Sequence, residues 1–283
     1  MASFDVSTPQ AGTATCMNTP SSQPNARGPI GIVAALHEEI NELLTLLSDA
    51  RCVHIGSRDF WTGQLDGRAV VVVLSRVGKV AAASTTAVLI TQFNVRAVVF
   101  AGVAGALTPG VAVGDVVVSG ELLQHDVDAS PLFPRWEIPL TGMARFPADA
   151  ALADGLLNSA GAVLADPHAL LGPDVMRDFG IAAPQVHYGL IVSGDRFVCT
   201  SAESAVLRTA LPDALAVEME GAAVAQVCHE WGVPFAAIRT ISDRADDAAS
   251  VDFAQFIAQV DSRYSVAILR KWLSTTNGGL TTY

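Results

Sequence analysis

The sequence predicts an α/β protein, a single domain of three layers in which helices cover both faces of a twisted mixed sheet. Continuous apolar runs, such as residues 30–36 and 95–101, are typical of strands that are buried on both faces. These runs alternate with Ala-rich segments of helical spacing, which is the order that builds an α/β sheet. The composition agrees, because 51% of the 283 residues are hydrophobic and only 16% are charged.

The first elements follow from local patterns. Strand 30–36 is apolar throughout, and from Ile40 onward apolar residues recur at the spacing of an amphipathic helix. An Asp-Gly pair at 66–67 separates two strand-like runs and indicates a hairpin with a tight turn. Thr200 and Glu203 have the spacing of a capping box and mark the start of a later helix.

The other predicted elements have apolar or Ala-rich patterns of strand or helix length. They are, in order, a helix at 78–93, strands at 95–101 and 114–123, short helices at 148–164 and 173–179, a strand at 187–193, a strand at 214–217, a helix at 222–231, a strand at 234–241 and a long helix at 253–273. The middle of the chain, 129–186, is the least periodic part and is expected to form loops, a lid or a subunit contact.

The two ends of the chain differ from this pattern. Residues 1–28 are rich in Ser, Thr, Pro, Gln and Asn and lack the apolar centre of a signal peptide, so we expect a disordered extension. The domain is expected to span 29–276, followed by a tail at 277–283. No apolar run reaches the roughly 18 residues that cross a bilayer. The four cysteines are scattered, which favours reduced thiols in a cytoplasmic protein.

The net charge of the chain limits the classes of molecule that it is expected to bind. A net charge of -11 argues against nucleic-acid binding, because no basic surface is available to neutralise phosphates. An enzyme for a neutral or weakly cationic small molecule fits this charge. The sequence contains neither a dinucleotide-binding G-x-G-x-x-G motif nor a Walker A motif, and no cofactor is predicted.

Glu218-Met219-Glu220 is the most informative string of the sequence. It places two carboxylates between an apolar strand and an Ala-rich helix, and strand alternation predicts that both point to one side. Like charges close to a core are unfavourable unless something pairs with them. A vicinal diol is one such partner, because each hydroxyl can donate to a carboxylate oxygen. The alternative is a strand end whose acids face water.

Asp243 follows another apolar strand and is preceded by Ser242. In open α/β sheets, ligands bind at the carboxyl ends of the strands. A carboxylic acid there could protonate the leaving group of a substrate if burial raised its pKa. The alternative is a structural role, in which Ser242 and Asp243 cap the next turn.

These two motifs together resemble those of the nucleoside phosphorylase and nucleosidase superfamily. The strings Ala216-Val217-Glu218-Met219-Glu220-Gly221 and Ile241-Ser242-Asp243 carry the resemblance, which extends over residues 30–273. Among its members, the bacterial 5′-methylthioadenosine/S-adenosylhomocysteine nucleosidases are the most similar. The resemblance implies a nucleoside phosphorylase-like fold. It also implies hydrolysis of the N-glycosidic bond of an adenine nucleoside, without a cofactor or a metal.

The resemblance also implies roles for individual residues. Glu39, which follows the first strand, corresponds to the residue that holds the attacking water; the alternative is an acidic residue that complements a helix N-terminus. Glu220 is expected to bind the ribose hydroxyls, Met219 to pack on the sugar and Asp243 to protonate the base. Glu218 and Ser242 belong to the same motifs and are expected to line the substrate site.

Three further residues are assigned by the same resemblance. Phe197 is expected to stack on the base, and the main chain of Val198 is expected to hydrogen bond to adenine. Arg239 is expected to pair with Glu220 and orient it.

The chain departs from the nucleosidases at two positions. Val103 stands in the substrate site where those enzymes have Ser or Thr, and Arg76 adds a cation where they have a small residue. Two alternatives therefore stay open. One is a phosphate-dependent phosphorylase in which Arg76 helps to hold phosphate, and the other is a nucleoside-binding protein without turnover.

The resemblance also implies a homodimer. Leu132 and Phe133 lie in a segment that is more apolar than a free loop requires, and they are expected to reach the pocket of a partner subunit. His125-Asp126-Val127-Asp128 contains metal-ligand residue types, but the corresponding family segment leads toward the subunit interface, and no metal is predicted there.

Overall fold

The computed structural model describes residues 28–247 and 253–275. The expected disordered extension, except for its last residue, and the expected tail lie outside the described residues, so the division into extension, domain and tail stays a prediction. None of the helices in the two described ranges is long and apolar enough to cross a membrane.

The elements alternate along the chain much as predicted. The first half contains β1 (Ile30–Ala34), α1 (His37–Thr45), β2 (Ser48–Ile55), β3 (Arg58–Leu65), β4 (Arg68–Leu74), α2 (Lys79–Phe93), β5 (Ala97–Ala106), β6 (Val116–Gln124) and β7 (Arg145–Pro147). The second half contains α3 (Ala150–Leu164), α4 (Pro167–Leu171), α5 (Pro173–Asp178), β8 (Val186–Ser193), α6 (Ser201–Ala210), β9 (Ala214–Glu218), α7 (Gly221–Glu230), β10 (Phe235–Asp243), α8 (Phe253–Phe256), a π-helical turn (Ile257–Asp261) and α9 (Ser262–Thr275).

The strands form one mixed sheet in the order β10-β6-β8-β9-β5-β1-β4-β3-β2, with β7 paired to β6. β10 also pairs with β5, in parallel, so β10, β6, β8, β9 and β5 close into a ring. β1, β5 and β10 run in the same direction, and their carboxyl ends meet at one edge. The side chains that follow these strands are therefore brought together at that edge.

Helices cover both faces of the sheet, each over its own hydrophobic core. One core packs α1, α3 and α9 on the sheet and contains the fully buried Tyr264 and Trp272. The other packs α2 and α7 on the opposite face and contains Phe60 and Phe100. This arrangement confirms the predicted three-layer α/β fold. Closure of five strands into a ring was not predicted.

The hairpin predicted at 66–67 is confirmed. Asp66 and Gly67 both have positive φ, of 49° and 77°, as a tight turn between β3 and β4 requires. Strand β2, in contrast, was not predicted. It lies at the edge of the sheet with nearly all its residues exposed, so buried and exposed residues do not alternate along it. The predicted long helix at 253–273 is also interrupted by the π-helical turn.

Strand β5 is longer than predicted. The apolar run ends at Ala101, but the strand continues through Gly102-Val103-Ala104-Gly105 to Ala106. These small residues stay extended because they pair with β10 along their length, up to Asp243 opposite Gly105. The extension carries Val103 to the edge where the other candidate residues lie.

Candidate active site

A pocket of about 730 Å³, partly open to solvent, lies at the carboxyl ends of β1, β5, β9 and β10. It is lined mainly by apolar side chains, with a small number of polar groups among them, as small-molecule sites usually are. Most of the residues predicted for the site line it, namely Glu39, Val103, Phe197, Val198, Glu218, Met219, Glu220, Ser242 and Asp243. Arg239 lies beneath the pocket, and Leu132 and Phe133 are not among its lining residues.

The carboxyl group of Glu39 turns back from α1 toward the end of β1. Its Oε2 accepts hydrogen bonds from the main-chain N–H groups of Ala35 and Leu36, both at 2.8 Å. The side chain is buried, and this burial, together with the carboxyl of Asp261, raises the pKa of Glu39 to about 8. Glu39 therefore both satisfies main-chain donors before α1 and presents a carboxyl group of high proton affinity to the pocket.

Asp243 ends β10 on the other side of the pocket. Its Oδ2 accepts from the Ser242 hydroxyl at 2.7 Å, and its Oδ1 accepts from the main-chain N–H of Ala245 at 2.7 Å. Burial raises the pKa of Asp243 despite these two donors. The hydrogen bond from Ala245 is the one expected if Asp243 caps the next turn. Asp243 therefore caps this turn and lines the pocket at the same time.

Glu218 lines the inner wall of the pocket and is held there by buried partners. Its Oε2 is 2.7 Å from Nη2 of Arg239, and it also accepts from the main-chain N–H of Gly221 at 2.8 Å. The Ser193 hydroxyl donates to its other oxygen. Arg239 itself is 1% exposed and stacks over the Phe100 ring at 4.0 Å. The hydrogen-bonding capacity of Glu218 is thus largely used within the protein.

The predicted pairing of Arg239 with Glu220 is therefore wrong, because Arg239 pairs with Glu218. The expected alternation also fails, since β9 ends at Glu218 and the chain turns at Met219 into α7. Glu220 instead accepts from the main-chain N–H of Gly78, at the start of α2, at 2.7 Å. Burial, and next the charge of Glu218, raises the pKa of Glu220 to about 7.

Two glycines of β5, for which no role was predicted, make room for the acidic groups. A Cβ atom on Gly102 would lie 2.7 Å from Oε1 of Glu39, and one on Gly105 would lie 2.8 Å from Oδ1 of Asp243. Their signal was present in the string Gly102-Val103-Ala104-Gly105, in which glycine interrupts an apolar strand. Such a glycine often marks a close approach by another group.

We expect Gly105→Ala to lower turnover about 10²-fold, because a displacement of about 1 Å at a reacting group has an effect of that size. The added methyl group would push the carboxyl of Asp243 away from its present position. Gly110→Ala is the matched control, since a Cβ there meets no atom within 4 Å. Initial rates of the two variants, measured together with their thermal stability, would check this result. Equal rates for both variants would contradict it.

An aromatic pair stands at another side of the pocket. The rings of Phe197 and Phe253 are 5.8 Å apart and meet edge to face at 67°. Both line the pocket together with Val198. Phe253 was missed because it was read as the first residue of a long helix. Arg196 also lines the pocket and forms an ion pair with Glu203.

Arg76, the cation of the phosphorylase alternative, lies outside this pocket. Its guanidinium donates to the main-chain oxygen of Ser57 at 2.6 Å, and it lines a separate depression beside Trp61. The suggestion that Arg76 holds phosphate is therefore not supported by its position. The backbone of Arg76 has a φ of 69°, a conformation that favours glycine.

The acidic residues of 125–128 are engaged in other contacts. Asp126 pairs with Lys79 at 2.6 Å, and Asp128 accepts from the main-chain N–H of Ser130 at 3.0 Å. Within residues 28–247 and 253–275, no group of three His, Cys, Asp or Glu side chains could hold a metal ion. Leu132 is 63% exposed, and its contribution to a partner subunit stays a prediction.

The pocket, in which buried carboxyl groups of raised pKa face a cavity flanked by aromatic rings, is suited to an enzyme that uses acid–base chemistry on a small molecule. Residues 29–274 match the family described as the Phosphorylase superfamily, and the chain belongs to that family.

Its curated relatives are named 5′-methylthioadenosine/S-adenosylhomocysteine nucleosidase. The relative from Shewanella denitrificans is 35% identical over 244 residues, which is 85% of this chain and 96% of the relative. The relative from Anoxybacillus flavithermus is 37% identical over 230 residues, covering 81% of this chain and 90% of the relative.

Solved structures give the same result. The Neisseria meningitidis 5′-methylthioadenosine/S-adenosylhomocysteine nucleosidase, in complex with methylthio-immucillin-A, has a TM-score of 0.76 and 34% identity, covering 88% of this chain and 99% of that one. The futalosine hydrolase of Helicobacter pylori has a TM-score of 0.73 and 32% identity, covering 88% and 98%. These comparisons confirm the predicted family, fold and enzyme class.

Proposed function

We propose that this protein hydrolyses the N-glycosidic bond of an adenine nucleoside, 5′-methylthioadenosine or S-adenosylhomocysteine, and releases adenine. The observation that carries this proposal is the convergence of Glu39, Glu220 and Asp243 on one pocket, with each carboxyl group fixed by a main-chain N–H. The names of the relatives support the choice of substrate.

In this proposal Asp243 is the general acid. Burial raises the pKa of Asp243, which favours its protonated form, and Ser242 and Ala245 fix the carboxyl group. The proton passes to a ring nitrogen of the base, so the base leaves as a neutral molecule when the bond to the sugar breaks. Phe197 and the main chain of Val198 hold the base in place.

Glu39 is the base that accepts a proton from water. The water oxygen forms the new bond to the anomeric carbon while the bond to adenine breaks, and the products are adenine and the free 5-substituted ribose. A group whose pKa lies near the working pH suits this task, and the pKa of Glu39 is raised to about 8. Carboxylates close to the sugar also stabilise the positive charge that develops on it.

Glu220 binds the ribose hydroxyls, and Met219 packs on the sugar. One oxygen of Glu220 is bonded to Gly78, and its place in the pocket wall lets the carboxyl group accept from a diol. Glu218 supports the site from below through Arg239. Leu36, Val77 and Phe253 add apolar surface to the pocket, which suits an apolar 5′ substituent, and Val103 adds to it where the nucleosidases carry a hydroxyl.

We expect base release to be independent of phosphate. Among the described residues, Arg196 is the one cation that lines the pocket, and it is paired with Glu203, while Arg76 donates to Ser57 beside a separate depression. Adenine release from 5′-methylthioadenosine, measured with and without phosphate, should proceed at one rate and give free methylthioribose. Phosphate-dependent formation of the sugar 1-phosphate would instead establish a phosphorylase.

A panel of nucleosides tests the substrate itself. It contains 5′-methylthioadenosine, S-adenosylhomocysteine, adenosine, inosine and futalosine, the last because a futalosine hydrolase is among the similar structures. We expect the two thioether nucleosides to be cleaved fastest. Tight binding of adenosine analogues without release of any base would favour a nucleoside-binding protein. The homodimer and the cytoplasmic location stay predictions from the sequence.

A further inference from the structure

The π-helical turn at Ile257–Asp261 brings an additional acidic residue beneath the pocket. The turn packs against α1, β5 and β10, the elements that carry Glu39, Gly102 and Asp243. Such turns occur mostly as single interruptions of α-helices, frequently at functional sites. Asp261 is the last residue of the turn and is completely buried.

The carboxyl group of Asp261 lacks a cation of its own. Oδ1 accepts from the Ser265 hydroxyl at 3.2 Å, and the Thr240 hydroxyl is close enough to favour its ionised form. Its Oδ2 has no partner of good hydrogen-bond geometry within the described residues. A buried carboxyl group in this condition is unfavourable as an anion, and none of the roles assigned above explains it.

The charged groups around Asp261 come from three elements. Glu39 faces it from α1 and Arg239 faces it from β10, while Glu218 of β9 holds the guanidinium of Arg239 in an ion pair. The guanidinium of Arg239 is therefore already paired with Glu218. After burial, the charge of Asp261 is the largest influence that raises the pKa of Glu39. Both carboxyl groups are buried and lie on elements that pack against each other, and they are here called the Glu39–Asp261 pair.

We propose that Asp261 is a positioning residue whose negative charge sets the basicity of Glu39, and with it the pH range in which Glu39 can take a proton from water. This inference rests on the proposed function. Two neighbouring carboxyl groups in a dry interior cannot both ionise freely, so a charge on one increases the proton affinity of the other. Asp261 makes Glu39 a stronger base without touching the substrate.

The test is the pH dependence of kcat/KM for 5′-methylthioadenosine. In Asp261→Asn the acid limb of the profile should move to lower pH by about one unit or more, because a like charge beside Glu39 is removed. Ser265→Ala should move it in the same direction by less, since it removes a bond that keeps Asp261 ionised. This second variant keeps the test valid if Asp261→Asn fails to fold.

Asp115→Asn is the matched control. Asp115 is also a buried aspartate, but it is bonded to His187, so its replacement should reduce stability and leave the acid limb in place. Glu220 also titrates near neutrality, but burial and Glu218 raise its pKa, so a shift in Asp261→Asn reports on Glu39. An unchanged limb in Asp261→Asn, or in Ser265→Ala if the first variant does not fold, overturns the proposal.

A second readout separates this proposal from the proposed function. Stability of the wild type should fall as pH rises through the range in which Glu39 ionises, and Asp261→Asn should reduce that fall, whatever the reaction. If the wild type releases no base but this change in stability is observed, the function is wrong and the Glu39–Asp261 pair stands. If the wild type is an active nucleosidase, and neither the pH dependence of kcat/KM nor that of stability changes in Asp261→Asn, only the proposed role of Asp261 is wrong.

Discussion

Asp243→Asn is expected to lower the rate of adenine release by about 10²–10⁴-fold, the usual contribution of a general acid. The amide keeps the shape of the side chain and can still accept from Ser242 or Ala245, the two donors that fix Asp243 now. It has no acidic proton to give to the base. We therefore expect the thermal stability of the variant to stay close to that of the wild type.

Asp166→Asn is the control for the structural alternative. Asp166 caps α4, where its Oδ1 accepts from the main-chain N–H of Ala169 at 3.0 Å, and it is exposed. If Asp243 were only a turn cap, both substitutions would reduce stability by about 1 kcal/mol or less and leave turnover intact. Near-normal turnover in Asp243→Asn would end its assignment as the acid. Rates of base release at several pH values distinguish these outcomes.

Glu39→Gln is expected to abolish most turnover and yet to make the protein more stable than the wild type at pH 8. The pKa of Glu39 is raised from 4.5 to about 8 in the folded protein. Between these two values the folded state binds more protons than the unfolded state, so wild-type stability falls as pH rises. Glutamine does not ionise, so the Glu39→Gln variant does not lose stability in this way as pH rises.

The stability difference between Glu39→Gln and the wild type should therefore be small at pH 4.5, grow toward pH 8 and then level off. It should reach the order of a few kcal/mol, since each pKa unit corresponds to about 1.4 kcal/mol. Denaturant unfolding across this pH range measures it. Glu38→Gln is the control, because Glu38 is adjacent but exposed. A difference that does not change with pH would show that Glu39 ionises normally.

Local sequence located the pocket but not its supporting contacts. The strings at 216–221 and 241–243 are each contiguous, so a strand followed by acidic residues was visible without the fold. Arg239 was assigned to Glu220 by the family resemblance, because no local pattern in the sequence shows which of the two carboxylates it contacts. In the structure Arg239 forms its ion pair with Glu218, the last residue of β9.

Other features depend on contacts between distant parts of the chain. Gly105 is required by Asp243, which lies about half the length of the sequence away, and the requirement exists only once β5 pairs with β10. Asp261 lies within the helix predicted at 253–273 and was assigned no role from the sequence. The π-helical turn changes which side chains face the sheet, and no helical pattern in the sequence anticipates it.

The closed ring of strands fixes Asp243, whereas other residues of the pocket lie outside the strands and can be replaced more easily. Asp243 cannot shift along β5 without disturbing a strand that is bonded on both sides, to β5 and to β6. Phe197 and Phe253, in contrast, lie outside the strands. Residues around the mouth of the pocket can therefore be exchanged, with a change of specificity, while the ring keeps Asp243 and the β5 glycine that contacts it in place.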